Sequence, residues 1–213
     1  MKPPRLGIEP IAEDPIADEP SEVSAWNIAN ALTVLRLALV PVFLVVLFHG
    51  TGKLTGWRIA AWAVFAAASV TDRFDGEIAR KRGLITEFGK LADPIADKAL
   101  VGAALIGLSV LHDLPWWVTV VILVREVGVT VLRFWVIRHG VIPASRGGKL
   151  KTLLQAVAIG LFVLPPYGWL RDIAWVVMVA AIIVALATGV DYVGRAVRLR
   201  RDDKPDAAAE ATA

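Results

Sequence analysis

The sequence predicts an all-α, polytopic membrane protein with six transmembrane helices, and three observations support this. Hydrophobic residues make up 56% of the 213-residue chain and mean hydropathy is +0.61, too apolar for an ordinary soluble domain. The apolar residues gather in six stretches, roughly 32–48, 56–71, 98–112, 115–137, 150–166 and 172–194. Lys and Arg cluster at the ends of these stretches and lift the isoelectric point to about 9.4, as cytoplasmic loops of membrane proteins do. Cysteine is absent, which excludes a disulfide framework and a thiolate metal site. No basic stripe lies on a soluble module, so no nucleic-acid partner is expected.

Residues 1–22 hold five prolines and six acidic residues and contain no apolar core. They cannot bury enough surface to fold, so a disordered tail is expected, with no cleavable signal peptide. A six-helix catalytic domain is expected over 23–200, and a second disordered tail over 201–213. Several of the six stretches fall short of the about 20 residues that cross hydrocarbon; flanking residues and local thinning of the bilayer can make up the difference. Helix is the favoured form throughout, because lipid offers no partner for free backbone groups.

Charge sets the orientation. Arg73, Arg80, Lys81, Arg82, Lys90 and Lys98 lie between stretches two and three, and Arg138, Arg146, Lys149 and Lys151 between four and five. Arg195, Arg198, Arg200, Arg201 and Lys204 follow the sixth. The opposite loops offer only Lys53, Arg58 and Arg171. The positive-inside rule then places both termini and segment 72–98 in the cytoplasm of a multi-pass cell-membrane protein. Trp26, Trp57, Trp116, Trp117 and Trp169 fall at the expected interfaces and read as anchors in the bilayer.

The segment from 72 reads DRFDGEIARKRGLITEFGKLADPIAD. Asp72 and Asp75 are spaced i, i+3, and Asp93 and Asp97 i, i+4, so on helices each pair shares a face. Four carboxylates brought together repel one another unless cations bind. Hard oxygen ligands suit Mg²⁺ or Mn²⁺. Gly76 and Ala79 leave room for a flat ligand after Asp75. Arg80 stands four residues beyond Gly76, placed to meet phosphate oxygens. Gly83 and Gly89 bracket a turn in which Thr86 offers a hydroxyl. A solvated loop would account for any single aspartate, but has no reason to combine all of these at these spacings.

The spacing D-x2-D-G-x2-A-R-x8-G-x3-D-x3-D, met by Asp72, Asp75, Gly76, Ala79, Arg80, Gly89, Asp93 and Asp97, resembles the signature of the CDP-alcohol phosphatidyltransferases. The likeness extends over most of residues 25–195. Asn30, Thr33 and Arg36 resemble the family's Asn-x-x-Thr-x-x-Arg at the start of the first span, with Ala29 where the family often has Pro. The resemblance implies six membrane helices, usually in a homodimer, and two divalent metal ions. It implies Asp72, Asp75 and Asp93 as metal ligands, and Asp97 as general base that also reaches metal. CDP-diacylglycerol binding would fall to Asn30, Thr33, Asp72, Gly76, Arg80 and Thr86.

A second constellation bears on the acceptor alcohol. Arg125 and Arg133 are eight residues apart in the fourth stretch and share roughly one helix face. Charges at such depth usually face a polar cavity. Arg125 and Glu126, as sequence neighbours, point in different directions and are not expected to pair. Lys149, Lys151, Thr152 and Gln155 open the fifth stretch. Arg125, Arg133, Lys149 and Lys151 would suit an acceptor that carries phosphate. The RE-x6-R arrangement and the PAS-x2-GK-x-KT-x2-Q run resemble the phosphatidylglycerophosphate synthases of the family, which implies sn-glycerol 3-phosphate as acceptor. A cardiolipin synthase or an inositol-phosphate enzyme of the same fold stays open as an alternative. An intramembrane prenyltransferase lacks this Gly-Ala-Arg pattern, and a transporter would not need the carboxylates.

Overall fold

The computed structural model describes the backbone of residues 28–82, 87–136 and 146–210, and the side chains of residues 31, 33–71, 95, 96, 98–132 and 147–198. The described residues form six α-helices and no strand. These are α1 (Ile28–Phe48), α2 (Thr55–Arg82), α3 (Glu87–Val110), α4 (Trp116–Val136), α5 (Arg146–Val163) and α6 (Gly168–Glu210), with a 3-10 turn at His49–Gly52. The all-helical class matches the expectation from hydropathy.

Helices α2 and α3 are longer than their apolar stretches, because both run on through the polar aspartate segment. Gly89 therefore lies inside α3 rather than at the edge of a turn. In the first turn of a helix a residue's N–H has no intrahelical partner in any case, so glycine is tolerated there. Likewise α6 continues to Glu210, into a stretch whose composition reads as a tail; Ala207, Ala208 and Ala209 favour helix once a preceding helix is formed.

Short connections reverse the chain between helices. After α1, Gly50, Thr51 and Gly52 all adopt positive φ (59°, 60° and 68°), and glycine supplies two of the three left-handed positions. The core forms where Phe43 and Leu47 of α1, Phe65 of α2, Leu105 and Leu108 of α3, Ile122 of α4, Ile159 and Phe162 of α5 and Met178 of α6 meet. Small residues let the helices approach closely: Ala61, Ala68, Ala104, Ala158 and Ala174 are buried at the contacts. At Gly107 an added Cβ would come within 2.9 Å of Leu47 Cδ2, so this glycine sets how closely α1 and α3 can approach. Ser109 and Thr119 join α3 to α4 through a hydroxyl pair at 2.7 Å, and Thr119 also donates to Leu105 O at 3.2 Å.

The outward faces are apolar. Val45, Val124, Val131, Val176, Ile183 and Val190 are all exposed, Val176 to 70%. A soluble protein does not leave apolar faces of this extent in water. Thr33–Gly52 and Gly168–Arg198 are each long and apolar enough to cross a membrane unaided, and Lys98–Val110 is a shorter apolar helix. Charged side chains interrupt the other helices: Arg58 in α2, Arg125 and Glu126 in α4, Lys151 in α5.

Candidate active site

One end of the bundle gathers the buried polar residues Thr33, Arg36, Lys151 and Gln155. Helix α2 is continuous through Asp72 and Asp75, and α3 through Asp93 and Asp97. The backbone thus keeps the i, i+3 and i, i+4 spacings on helix, with one face for each pair. The side chains of these four aspartates, and of Asn30, Gly76, Arg80 and Arg133, lie outside the described residues, as does Thr86 altogether.

Beside this segment lies a cavity of about 180 Å³. Its polar wall comes from five helices: Arg36 of α1, Ser69 of α2, Lys98 of α3, Glu126 of α4, and Lys151 and Gln155 of α5. Leu100, Leu123 and Val127 supply apolar lining. Arg36 is buried to 1% exposure and Thr33 precedes it by one turn, also buried, on the same face of α1. Lys98 follows Asp97 directly in the chain, which ties the cavity to the aspartate segment.

Glu126 is the hub of the α4–α5–α6 contact. Its Oε1 accepts from Lys151 Nζ across to α5 and from Arg125 Nη1 at 3.2 Å. The expectation that Arg125 and Glu126 would not pair is therefore corrected. A guanidinium on a long side chain can lie along the helix surface, and here Arg125 spans between its neighbour and α6. Its Nε donates to Ala185 O at 2.9 Å and its Nη2 to Thr188 Oγ1 at 2.9 Å. Thr188 passes its own proton back to Val184 O at 2.7 Å.

Of the four cations expected at the acceptor site, Lys151 alone lines the cavity among the described side chains. Lys149 is exposed at the start of α5, and Arg125 stands behind Glu126 against α6. Of the polar wall residues named above, the sequence reading expects only Lys151 at the site; Arg36, Ser69, Lys98, Glu126 and Gln155 are not among its site residues. Lys98 reads there as one more loop charge, and the places of Glu126 and Gln155 are set by how α4 and α5 are rotated about their axes. Against the cavity, Arg36, Lys98 and Lys151 carry three positive charges and Glu126 one negative, leaving two positive charges. A phosphate monoester carries about −1.5 to −2 near pH 7.

The far end is built differently. Arg58 Nη1 meets Asp113 Oδ2 at 2.5 Å, and Arg171 Nη2 meets Asp113 Oδ1 at 3.2 Å. Arg58 also donates to Phe162 O at 2.7 Å, Leu164 O at 3.3 Å and Gly52 O at 3.4 Å. These carbonyls lie at or beyond the ends of α5 and α1, where helical partners run out. Two of the three basic residues at this end are therefore bonded to a carboxylate.

Comparison with known proteins agrees with this arrangement. The model of the family described as CDP-alcohol phosphatidyltransferase matches residues 26–187. The chain is 66% identical over 172 residues to a probable phosphatidylglycerophosphate synthase of Mycobacterium tuberculosis, covering 81% of this chain and 82% of that protein. It is 38% identical over 149 residues to the CDP-diacylglycerol–glycerol-3-phosphate 3-phosphatidyltransferase of Bacillus subtilis, covering 65% of this chain and 77% of the relative. To the enzyme of the same name from Rickettsia typhi it is 37% identical over 171 residues, with 78% and 94% covered. A match over most of the chain, on helices that carry the four-aspartate segment, makes this protein a member of the CDP-alcohol phosphatidyltransferase family.

Proposed function

We propose that the chain transfers the phosphatidyl group of CDP-diacylglycerol to sn-glycerol 3-phosphate, giving phosphatidylglycerophosphate and CMP. The observation that carries the acceptor is the cavity wall, whose net of two positive charges matches an alcohol phosphate. At about 180 Å³ the cavity is also smaller than the roughly 300–1,000 Å³ of pockets for drug-sized ligands. That size favours a three-carbon alcohol phosphate over a diacyl acceptor such as phosphatidylglycerol.

The donor set of Asp72, Asp75, Asp93 and Asp97 fits two Mg²⁺ or Mn²⁺ ions, being all hard oxygen and spaced on two continuous helices. Bound there, the ions would offset the charge of the pyrophosphate and of the departing CMP. Asn30, Thr33, Gly76, Arg80 and Thr86 hold the CDP part of the donor in this reading. Lys151, Lys98 and Arg36 draw the acceptor phosphate into the cavity, with Arg133 and Lys149 adding charge at its approach. Arg125 acts through Glu126, fixing the carboxylate that aligns Lys151. Asp97 takes the proton from the acceptor's primary hydroxyl. That oxygen bonds to the phosphorus next to diacylglycerol as the bond to CMP breaks, and positioning with electrostatics supplies most of the rate. The enzyme works as a six-crossing protein of the cell membrane, with site and termini in the cytoplasm, and as a homodimer.

The test is CMP release from labelled CDP-diacylglycerol by purified full-length protein. Release should stop with chelator, return with Mg²⁺ or Mn²⁺, and require glycerol 3-phosphate. Equal use of glycerol would rule out a phosphate-reading cavity. A preference for phosphatidylglycerol would make the chain a cardiolipin synthase, and one for inositol phosphate would reassign the acceptor.

A further inference from the structure

Among the described residues Gln155 is the amide side chain of the cavity wall. It lies on α5 four residues after Lys151, on the same helix face and about 6 Å further along the axis. Its side chain is buried to 4% exposure, yet its Oε1 has no hydrogen-bond partner among the described residues. Buried polar atoms are nearly always bonded, so such an oxygen marks a place where a ligand donor belongs. Lys151, one turn before it, donates to Glu126, which also receives Arg125, and neither bond involves the Gln155 oxygen.

We infer that Gln155 is a specificity-determining residue whose side-chain oxygen accepts a hydrogen bond from the non-reacting hydroxyl of a short polyol phosphate. The inference rests on the acceptor reading above and deepens it. With the phosphate at Lys151 and the reacting hydroxyl toward Asp97, the middle hydroxyl of a three-carbon chain is left to be read. A hydroxyl both donates and accepts, so it can serve either pole of the carboxamide. A bare alkanol phosphate brings the same charge but leaves the buried oxygen unbonded, and a site built for a hydroxyl rejects such an analogue.

The experiment compares glycerol 3-phosphate with 3-hydroxypropyl phosphate, which keeps the phosphate and the primary hydroxyl and lacks the secondary one. The wild-type protein should favour glycerol 3-phosphate by about ten- to a hundred-fold in kcat/KM. Gln155→Met should lower kcat/KM for glycerol 3-phosphate by that factor and leave 3-hydroxypropyl phosphate nearly unchanged, so the preference collapses toward one. The KM for CDP-diacylglycerol should not move. Gln155→Glu keeps an acceptor oxygen, and should retain the preference while raising KM for both alcohol phosphates. Equal use of the two acceptors by the wild type overturns the inference even where a variant fails to fold. So does an equal loss on both acceptors in Gln155→Met, which is the mark of a structural role, or a lost preference in Gln155→Glu. If the wild type uses neither alcohol phosphate but does use another acceptor, the acceptor reading itself has failed.

Discussion

Asp97 closes the second carboxylate pair, and the next residue, Lys98, opens onto the cavity. In the proposed role of general base it would accept one proton per turnover, so Asp97→Asn should lose roughly 10²–10⁴-fold in single-turnover rate. Donor affinity should fall much less; near-normal turnover would remove Asp97 from that role. Glu126 makes a prediction of a different kind. Its carboxylate is the bonded partner of a largely buried Lys151, and removing one member of a buried pair can cost about 3 kcal/mol or more. Glu126→Gln should therefore melt at lower temperature when free of ligand. Inorganic phosphate or glycerol 3-phosphate should then restore more of its stability than it adds to the wild type, since the anion takes over the missing partner's place. Equal melting shifts in the two proteins would mean that Lys151 is not shared between Glu126 and the acceptor. At this scale the helical spacing of the aspartates was legible in the sequence, because separations of three and four fall within one helix. The Glu126–Lys151 contact and the buried oxygen of Gln155 were not. They depend on how two separate helices are turned toward each other, which apolar periodicity in α4 and α5 does not determine.

Between elements, the Arg58–Asp113–Arg171 cluster ties together the connections α1–α2, α3–α4 and α5–α6 at the far end. Arg58 alone reaches the turn after α1, the residue beyond α3 and the carbonyls closing α5. Arg171 brings in the start of α6 and lies over the Phe162 ring at 4.8 Å. Sequence reading counted Arg58 and Arg171 as sparse charges of the opposite loops. Their partner is a single aspartate 55 residues beyond Arg58 and 58 before Arg171, a separation at which no local pattern speaks. Asp113→Ala leaves two arginines without their carboxylate, one of them almost fully buried. It should cost about 3 kcal/mol or more of stability, read as a lower melting temperature in detergent. The acceptor KM measured well below that temperature should be unchanged, because the cluster sits at the opposite end from the cavity. An unaltered melting temperature would show that the cluster holds nothing together.

For the whole molecule, the distribution of surfaces states the environment. Apolar side chains face outward along α1, α2, α4 and α6, and the exposed tryptophans Trp57, Trp116, Trp117 and Trp169 stand at the first turns of α2, α4 and α6. Those turns share the end marked by Arg58, Asp113 and Arg171, so the aromatics ring one boundary of the apolar belt, as interfacial anchors do. Hydropathy made the membrane class legible, and among the described residues Thr33–Gly52 and Gly168–Arg198 are each long and apolar enough to cross. Six crossings follow if the helices alternate in direction, with Lys149 and Lys53 then on opposite faces. Both lysines are exposed, and the chain has no cysteine of its own. Single cysteines at Lys149→Cys and Lys53→Cys can therefore be labelled with a membrane-impermeant maleimide without a background signal. In intact cells Lys53→Cys should react and Lys149→Cys should stay protected; inverted vesicles should reverse the pattern. Labelling of both from one side would break the alternation of helices. A clean exchange of the two patterns would keep the six crossings but turn the aspartate segment to the outer face, against the Lys and Arg bias that places it inside.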